Sequence, residues 1–125
     1  VLGIVQMGKL DWRVKRMKDI YARYRENLSD IKEVQFFNQD LQNTTPWFID
    51  VKAKKRDDLI DFLKLNNIGS RVMYPPINKQ QAYNIEGEHI VSNEIGLCGL
   101  WLPSSSKLTD IQVDYICNKI KEFYK

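Results

Sequence analysis

Apolar and aromatic side chains in the first thirty residues follow a spacing that alternates between four and three. The six positions are Leu10, Val14, Met17, Tyr21, Tyr24 and Leu28. This spacing puts them on one side of a helix, and charged side chains lie between them, so the pattern predicts a long amphipathic helix. A coiled coil shows similar spacing, but fewer than three heptads with two tyrosines on the seam favour packing against the helix's own domain.

From residue 46 the pattern changes to short elements. WFIDVKAK alternates as a half-buried strand does, with Trp47, Ile49 and Val51 expected on one face. KRDDLIDFLKLNNIG returns to helical spacing, and residues 67–69 are expected to end that helix. SRVMY predicts a second strand, HIVSNEIGLCG a weaker helix and LWLP a third strand.

The last helix has the clearest start signal in the chain. Thr109 is a favourable N-cap, Gln112 stands at the capping-box position, and Leu108 and Val113 are spaced as a hydrophobic staple. Its expected buried side consists of Val113, Ile116, Cys117, Ile120 and either Phe123 or Tyr124. The whole pattern predicts a two-layer α/β domain, with a long N-terminal helix and a small three- to four-stranded sheet covered by helices.

Composition narrows the class of protein. A chain of 125 residues can form one domain with a modest core. The formal charge of +3 is small and acidic residues alternate with basic ones, so no block of one sign predicts binding to nucleic acid. No apolar run approaches the ~20 residues that cross a bilayer, and we therefore expect a soluble protein that is not in a membrane.

Candidate chemistry is sparse. Cys98 and Cys117 lack metal-ligand spacing and are expected to be free, buried thiols in a reducing compartment. His89 has no partner at ligand spacing, so we expect a surface or capping role. There is no GxxxxGK phosphate loop, and the serines at 104–106 have no histidine beside them in the sequence. Spacing alone therefore predicts no catalytic residue and no metal site in this chain.

Three sequence blocks, which follow one another along the chain, together resemble a known family, although no single motif in them does. KLDWRVKRMKDIYARYRENL, RDDLIDFLKLNNIGSRVMYPPINKQQAY and GLWLPSSSKLTDIQVDYICNKIKEF together resemble the C-terminal part of the DegT/DnrJ/EryC1/StrS sugar aminotransferases. GLWLPSS, LTD and DYIC look most like the perosamine synthase-like branch, which aminates C4 of nucleotide-linked 4-keto-6-deoxyhexoses. The resemblance implies the small domain of a fold-type I aminotransferase, with residues 1–30 as a linking helix and residues 31–125 as the small C-terminal α/β domain.

The resemblance also implies what the parent protein does. It implies a cytoplasmic, homodimeric pyridoxal phosphate enzyme that moves an amino group, from glutamate, to a keto sugar carried by a nucleotide. In the family the cofactor-binding lysine, the carboxylate beside the pyridine nitrogen and the phosphate-binding residues lie upstream of these blocks. The chain begins at Val1 without methionine, so we expect a piece of a longer polypeptide that does not transaminate alone.

SRVMYPPINKQ, residues 70–80, is the candidate substrate-binding segment. Two consecutive prolines fix the backbone and remove donors, so they are expected to end the strand and begin a rigid loop. The resemblance places this loop at the sugar-nucleotide end of the active site, with Asn78 where many relatives have histidine. We expect Asn78 to orient the sugar, and Arg71 and Tyr74 to hydrogen bond the substrate or close the cleft. In the structural alternative Arg71 pairs with a surface carboxylate, Tyr74 is core, and the prolines protect a sheet edge.

A second function remains open from the residues themselves, namely a small basic module that binds nucleic acid or a protein. Exposed aromatic side chains on the sheet among clustered lysines would favour it. An open sheet face, or an uncovered apolar stripe on the helix from residue 10 to residue 28, would favour the aminotransferase domain.

Overall fold

A computed structural model describes residues 2–83 and 85–125. Its helices are α1 (Leu2–Met7), α2 (Leu10–Asn27), α3 (Arg56–Leu65), α4 (Ile90–Cys98) and α5 (Asp110–Tyr124). Its strands are β1 (Val34–Phe36), β2 (Ile49–Ala53), β3 (Arg71–Val72) and β4 (Gly99–Leu102), and a short 3-10 helix covers Ile77–Lys79. The predicted α/β class and the small helix-covered sheet are confirmed.

The four strands form one antiparallel sheet in the order β1-β2-β4-β3. Alternate residues of the two central strands are buried on one face, where α3 packs on β2 and both α2 and α3 pack against α5. These inward-facing residues are Ile49, Val51, Ala53, Leu100 and Leu102. The sequence pattern does not predict β1, because a strand of three residues is too short to show an alternation.

The helix predicted over residues 10–28 is α2, and a short helix, α1, precedes it with a break at Gly8 and Lys9. The buried side of α2 differs from the predicted stripe. Leu10 is 45% exposed, whereas Ile20, which lies outside the predicted stripe, is fully buried. An α-helix repeats every 3.6 residues, and a stripe read at a 3.5-residue spacing therefore drifts off the contact line. The predicted positions that do lie in the core are Met17, Tyr21, Tyr24 and Leu28.

Local sequence signals set the start of α5 and the end of α3, as predicted. Thr109 Oγ1 accepts a hydrogen bond from the backbone nitrogen of Gln112 at 3.3 Å, and Gln112 Oε1 accepts one from the backbone nitrogen of Thr109 at 2.9 Å. At the end of α3 the left-handed residue is Asn67, with φ of 58°, and the next amide, of Ile68, donates to the Leu63 carbonyl at 2.9 Å. Asparagine tolerates this conformation better than other residues with a Cβ, so Gly69 is not needed for it.

Charged side chains join α2 to α5 at the surface. The guanidinium of Arg23 donates to both oxygens of Asp114, at 2.7 Å and 2.6 Å, and Asn27 Nδ2 donates to Asp114 Oδ1 at 2.8 Å. The hydrogen bond from Arg23 lowers the pKa of Asp114 below its ordinary value. No helix within residues 2–83 and 85–125 has the length and apolar character needed to cross a membrane.

Candidate functional site

The candidate segment begins at an edge of the sheet. Among residues 2–83 and 85–125, β3 pairs with β4 alone, and Met73 extends the pairing by one hydrogen bond, from its amide to the Gly99 carbonyl at 3.3 Å. Pro75 and Pro76 follow, and the chain then turns into the 3-10 helix, where the Lys79 amide donates to the Pro76 carbonyl at 2.9 Å. The strand is shorter than predicted, because β3 covers only Arg71–Val72 and the last ladder hydrogen bond is made by Met73, two residues before Pro75. The two prolines have no amide to donate, so they cannot extend the ladder.

Asn78 is half-buried in the 3-10 helix and contacts α4. Its Nδ2 donates to Oδ1 of Asn93 at 2.9 Å. One side-chain amide therefore holds the other, and the remaining donor and acceptor capacity of Asn78 is available to a ligand. In the described part of the chain no hydrogen bond links Asn78 to Arg71 or Tyr74.

Arg71 and Tyr74 lie together on the indole of Trp101. The guanidinium carbon of Arg71 is 5.3 Å from the ring centroid of Tyr74 and 5.7 Å from that of Trp101, and the Tyr74 ring meets Trp101 edge-on at 5.1 Å. Tyr74 is 66% exposed, so the alternative that placed it in the core is wrong. Within residues 2–83 and 85–125 no carboxylate forms a salt bridge with Arg71, so the alternative pairing with a surface acid is also wrong.

Two further aromatic residues, which the sequence analysis did not assign to a site, extend this surface. Phe48 stacks on Trp101 with centroids 4.5 Å apart and planes at 17°, and Trp47 stacks on Phe48 at 5.8 Å. The predicted burial of Trp47 beside Ile49 and Val51 is wrong, because Trp47 precedes β2 and is 81% exposed. We call Trp47, Phe48, Tyr74 and Trp101 the aromatic row. Only the strand register, which pairs Arg71 with Trp101, would have revealed it.

A shallow recess of about 240 Å³ opens beside the aromatic row. Phe48, Trp101 and Arg71 form part of its wall, together with Ser70, whose Oγ is buried and has no hydrogen-bond partner among the described residues. Asp50, opposite Trp101 in the sheet, has a pKa raised by burial, and a hydrogen bond from Trp101 acts in the opposite direction. A guanidinium, a hydroxyl and flat apolar walls suit a ligand that combines an anionic group with a sugar or another ring.

A larger recess, of about 550 Å³, lies at the other end of β2 and does not include any of the predicted site residues. Lysines and carboxylates are mixed along its wall, among them Lys54, Lys55, Glu33 and Asp58. Because opposite charges compensate each other there, size alone does not favour it, and we place the candidate site at the aromatic row and residues 70–80.

The described residues show no lysine in the interior of the domain. Such a site needs a lysine held in the interior beside the cofactor and a carboxylate paired with the ring nitrogen. No charged side chain is buried in the described part of the chain. Lys79, inside the candidate segment, is exposed, and Lys52 on the sheet pairs with Glu94 at 3.0 Å.

The surfaces of the domain bear on the choice between an aminotransferase domain and a nucleic-acid- or protein-binding module. The exposed aromatic rings of Trp47 and Tyr74 lie next to the sheet strands, but the recess beside the aromatic row is lined by Arg71 and contains no lysine. The exposed apolar side chains at the N-terminal end are concentrated in α1 and the first turn of α2 instead of along the whole predicted stripe: Ile4, Val5, Met7, Leu10 and Trp12. This patch favours a domain that contacts a further protein surface.

Solved structures share this arrangement of helices around an antiparallel sheet. A crystal structure of a DegT DnrJ EryC1 StrS aminotransferase from Brucella abortus superposes with a TM-score of 0.86 at 25% identity, covering 96% of this chain and 33% of that chain. The model of the DegT/DnrJ/EryC1/StrS aminotransferase family matches residues 1–121. The chain belongs to this family.

Curated relatives match along nearly the whole chain. It is 28% identical to a GDP-perosamine synthase of Escherichia coli O157:H7, over 98% of this chain and 35% of the relative. It is 24% identical to EpsN of Bacillus subtilis, provisionally named a pyridoxal phosphate-dependent aminotransferase, over 87% of this chain and 31% of the relative. The chain thus spans about a third of the length of the relatives it matches.

Proposed function

We propose that this chain is the C-terminal domain of an aminotransferase that moves an amino group, from glutamate, to C4 of a nucleotide-linked 4-keto-6-deoxy sugar. The family match over residues 1–121 carries the proposal, and the similarity to a GDP-perosamine synthase supports the class of substrate. Pyridoxal phosphate supplies the electron sink of the reaction and is held by a large domain of the parent protein. The chain alone does not transaminate, because its described residues offer no buried lysine.

In this proposal the aromatic row and residues 70–80 form the substrate-facing surface of the domain. Arg71 is placed to donate to an anionic oxygen, since its guanidinium is held by two aromatic rings and not neutralised by an acid in the described structure. Tyr74 offers a hydroxyl from an exposed ring, and Asn78 offers an amide that accepts and donates without changing its charge. The three side chains contact the sugar nucleotide and position its keto sugar.

The proposal assigns different roles to the N-terminal helices and to the rest of the chain. Residues 1–30 link this domain to the large domain, and residues 31–125 form the small domain. The exposed apolar side chains of α1 and the first turn of α2 support this division, because such a patch is stabilised when another surface covers it. The parent protein is a cytoplasmic homodimer in this proposal, and nucleic acid is not among its partners.

Replacement of Asn78 by alanine in the full-length enzyme tests the substrate contact. Loss of one neutral hydrogen bond is expected to raise the KM for the sugar nucleotide by about three- to tenfold with little change in kcat. Asn118→Ala, an exposed asparagine of α5, is the matched control and is expected to leave both constants unchanged. Saturation by the sugar nucleotide that is the same in Asn78→Ala and the parent would leave Asn78 only a structural role.

A further inference from the structure

Helix α4 approaches the candidate segment unusually closely at a glycine. A Cβ atom on Gly96 would lie 2.6 Å from both Cγ and Cδ of Pro76. That distance is far below van der Waals contact, and a proline ring cannot rotate away as a flexible side chain can. Glycine within a helix is unfavourable relative to alanine, so its presence in the last turn of α4 is accounted for by this contact.

A second contact joins the same helix face to the segment. Asn93 precedes Gly96 by three residues, which puts the two on one side of α4. Asn93 Oδ1 accepts the hydrogen bond from Asn78 Nδ2 at 2.9 Å. One residue beyond α4, a Cβ on Gly99 would lie 2.6 Å from Sδ of Met73, and the Gly99 carbonyl accepts from the Met73 amide. Met73, Pro76 and Asn78 of the segment therefore all contact α4 or the residue that follows it.

We propose that Asn93 and Gly96 are positioning residues, which set the place and orientation of Asn78 for the bound sugar nucleotide. The inference rests on the proposed function, because only that function makes Asn78 a substrate contact. Pro75 and Pro76 have fixed φ angles, so a shift forced on Pro76 is transmitted to the 3-10 helix that follows and carries Asn78 with it. Asn93 adds orientation, because its oxygen holds one edge of the Asn78 amide and leaves the rest for the ligand.

The test uses the full-length enzyme with four variants and two measurements. Gly96→Ala adds a Cβ that prevents the close approach of Pro76 to α4. Asn93→Leu removes the hydrogen bond to Asn78, whereas Asn93→Asp keeps an oxygen that accepts from Asn78. Asn118→Leu is the matched control, since Asn118 is also a helical asparagine and is exposed on α5. The measurements are steady-state kinetics with the sugar nucleotide and hydrogen exchange at the Lys79 and Gln80 amides, which hydrogen bond within the segment.

We expect Gly96→Ala and Asn93→Leu to raise the KM about three- to tenfold, with kcat within about twofold of the parent. Exchange at Lys79 and Gln80 is expected to become faster in the same two variants. Asn93→Asp and Asn118→Leu are expected to retain the parent KM. Rescue by Asn93→Asp distinguishes positioning from a general loss of stability, which would lower the active fraction without changing KM.

Three other outcomes of these measurements would refute either the inference or the proposed substrate contact. Unchanged exchange and unchanged KM in Gly96→Ala and Asn93→Leu would overturn the inference. Faster exchange without a change in KM, while Asn78→Ala does raise KM, would also overturn it, because Asn78 would then work without this support. Faster exchange with no effect on KM even in Asn78→Ala would refute the proposed substrate contact and leave the mechanical coupling of α4 to the segment intact.

Discussion

Tyr24→Phe tests how strongly α2 is fixed to the rest of the domain. Tyr24 is fully buried, and its hydroxyl donates to the backbone oxygen of Pro103, the residue after β4, at 3.1 Å. Burial raises the pKa of this hydroxyl, so it stays a neutral donor across the accessible pH range. Phenylalanine would keep the ring in the core and remove only the donor.

The expected cost follows from the groups involved. A hydrogen bond contributes about 0.5–1.5 kcal/mol net, and an acceptor left without its donor costs about 1–3 kcal/mol. Because Pro103 is only half-buried and water can reach part of its surface, we expect a loss near 1–2 kcal/mol in the free energy of unfolding. With a urea m value of about 2 kcal/mol/M, in the middle of the usual range, the midpoint should fall by roughly 0.5–1 M.

Urea unfolding followed by circular dichroism measures this loss, with Tyr115→Phe as the matched control. The Tyr115 hydroxyl also donates to a backbone oxygen, that of Asn66 at 3.3 Å, but the residue is 46% exposed. Water can replace its hydrogen bond, so that variant should stay within about 0.5 kcal/mol of the parent. A Tyr24→Phe protein that loses no more stability than Tyr115→Phe would refute the reasoning.

Two further predictions concern single local features. The pKa of Asp114 is lowered in the folded chain by Arg23, so its contribution to stability is fully present above the ordinary value of 3.8 and is lost as the pH falls through the lower folded value. Asp114→Asn should therefore flatten the acid side of the stability profile, and an unchanged acid slope in urea titrations at several pH values would contradict this. Asn67→Val should lose about 1–2 kcal/mol because valine is strained at φ of 58°, whereas Asn67→Gly should match the parent; equal urea midpoints for the two variants would count against the prediction.

Elements with local signals could be predicted from the sequence. The start of α5 depends on Thr109 and Gln112, which are three residues apart, and the end of α3 depends on Asn67 and its neighbours. β1 could not be predicted, because its three residues gain their structure from pairing with β2 and not from their own pattern. The predicted start of β2 was wrong for a similar reason, because the alternation of apolar and polar residues does not show whether Trp47 still belongs to the ladder.

The candidate site could likewise be predicted only in part from the sequence. Proline chemistry predicted that the segment of residues 70–80 leaves the sheet, and the family resemblance indicated Arg71, Tyr74 and Asn78, whose roles stay predictions. The partners of these residues could not be predicted, because Trp101 joins Arg71 through strand register and Asn93 joins Asn78 through the packing of α4. Gly96 gave no signal at all, since nothing near it in the sequence indicates that a proline ring lies against it.

The two edges of the sheet have a consequence for how copies of this domain can associate. β1 has three residues and β3 has two, and two prolines without amide hydrogens follow β3 after Met73 and Tyr74. Such edges are poor templates for strand addition by another chain, so amyloid-like growth from the sheet is disfavoured. Self-association at high concentration should instead run through the apolar side chains of α1 and Trp12, and mild detergent or a Trp12→Lys substitution should reverse it.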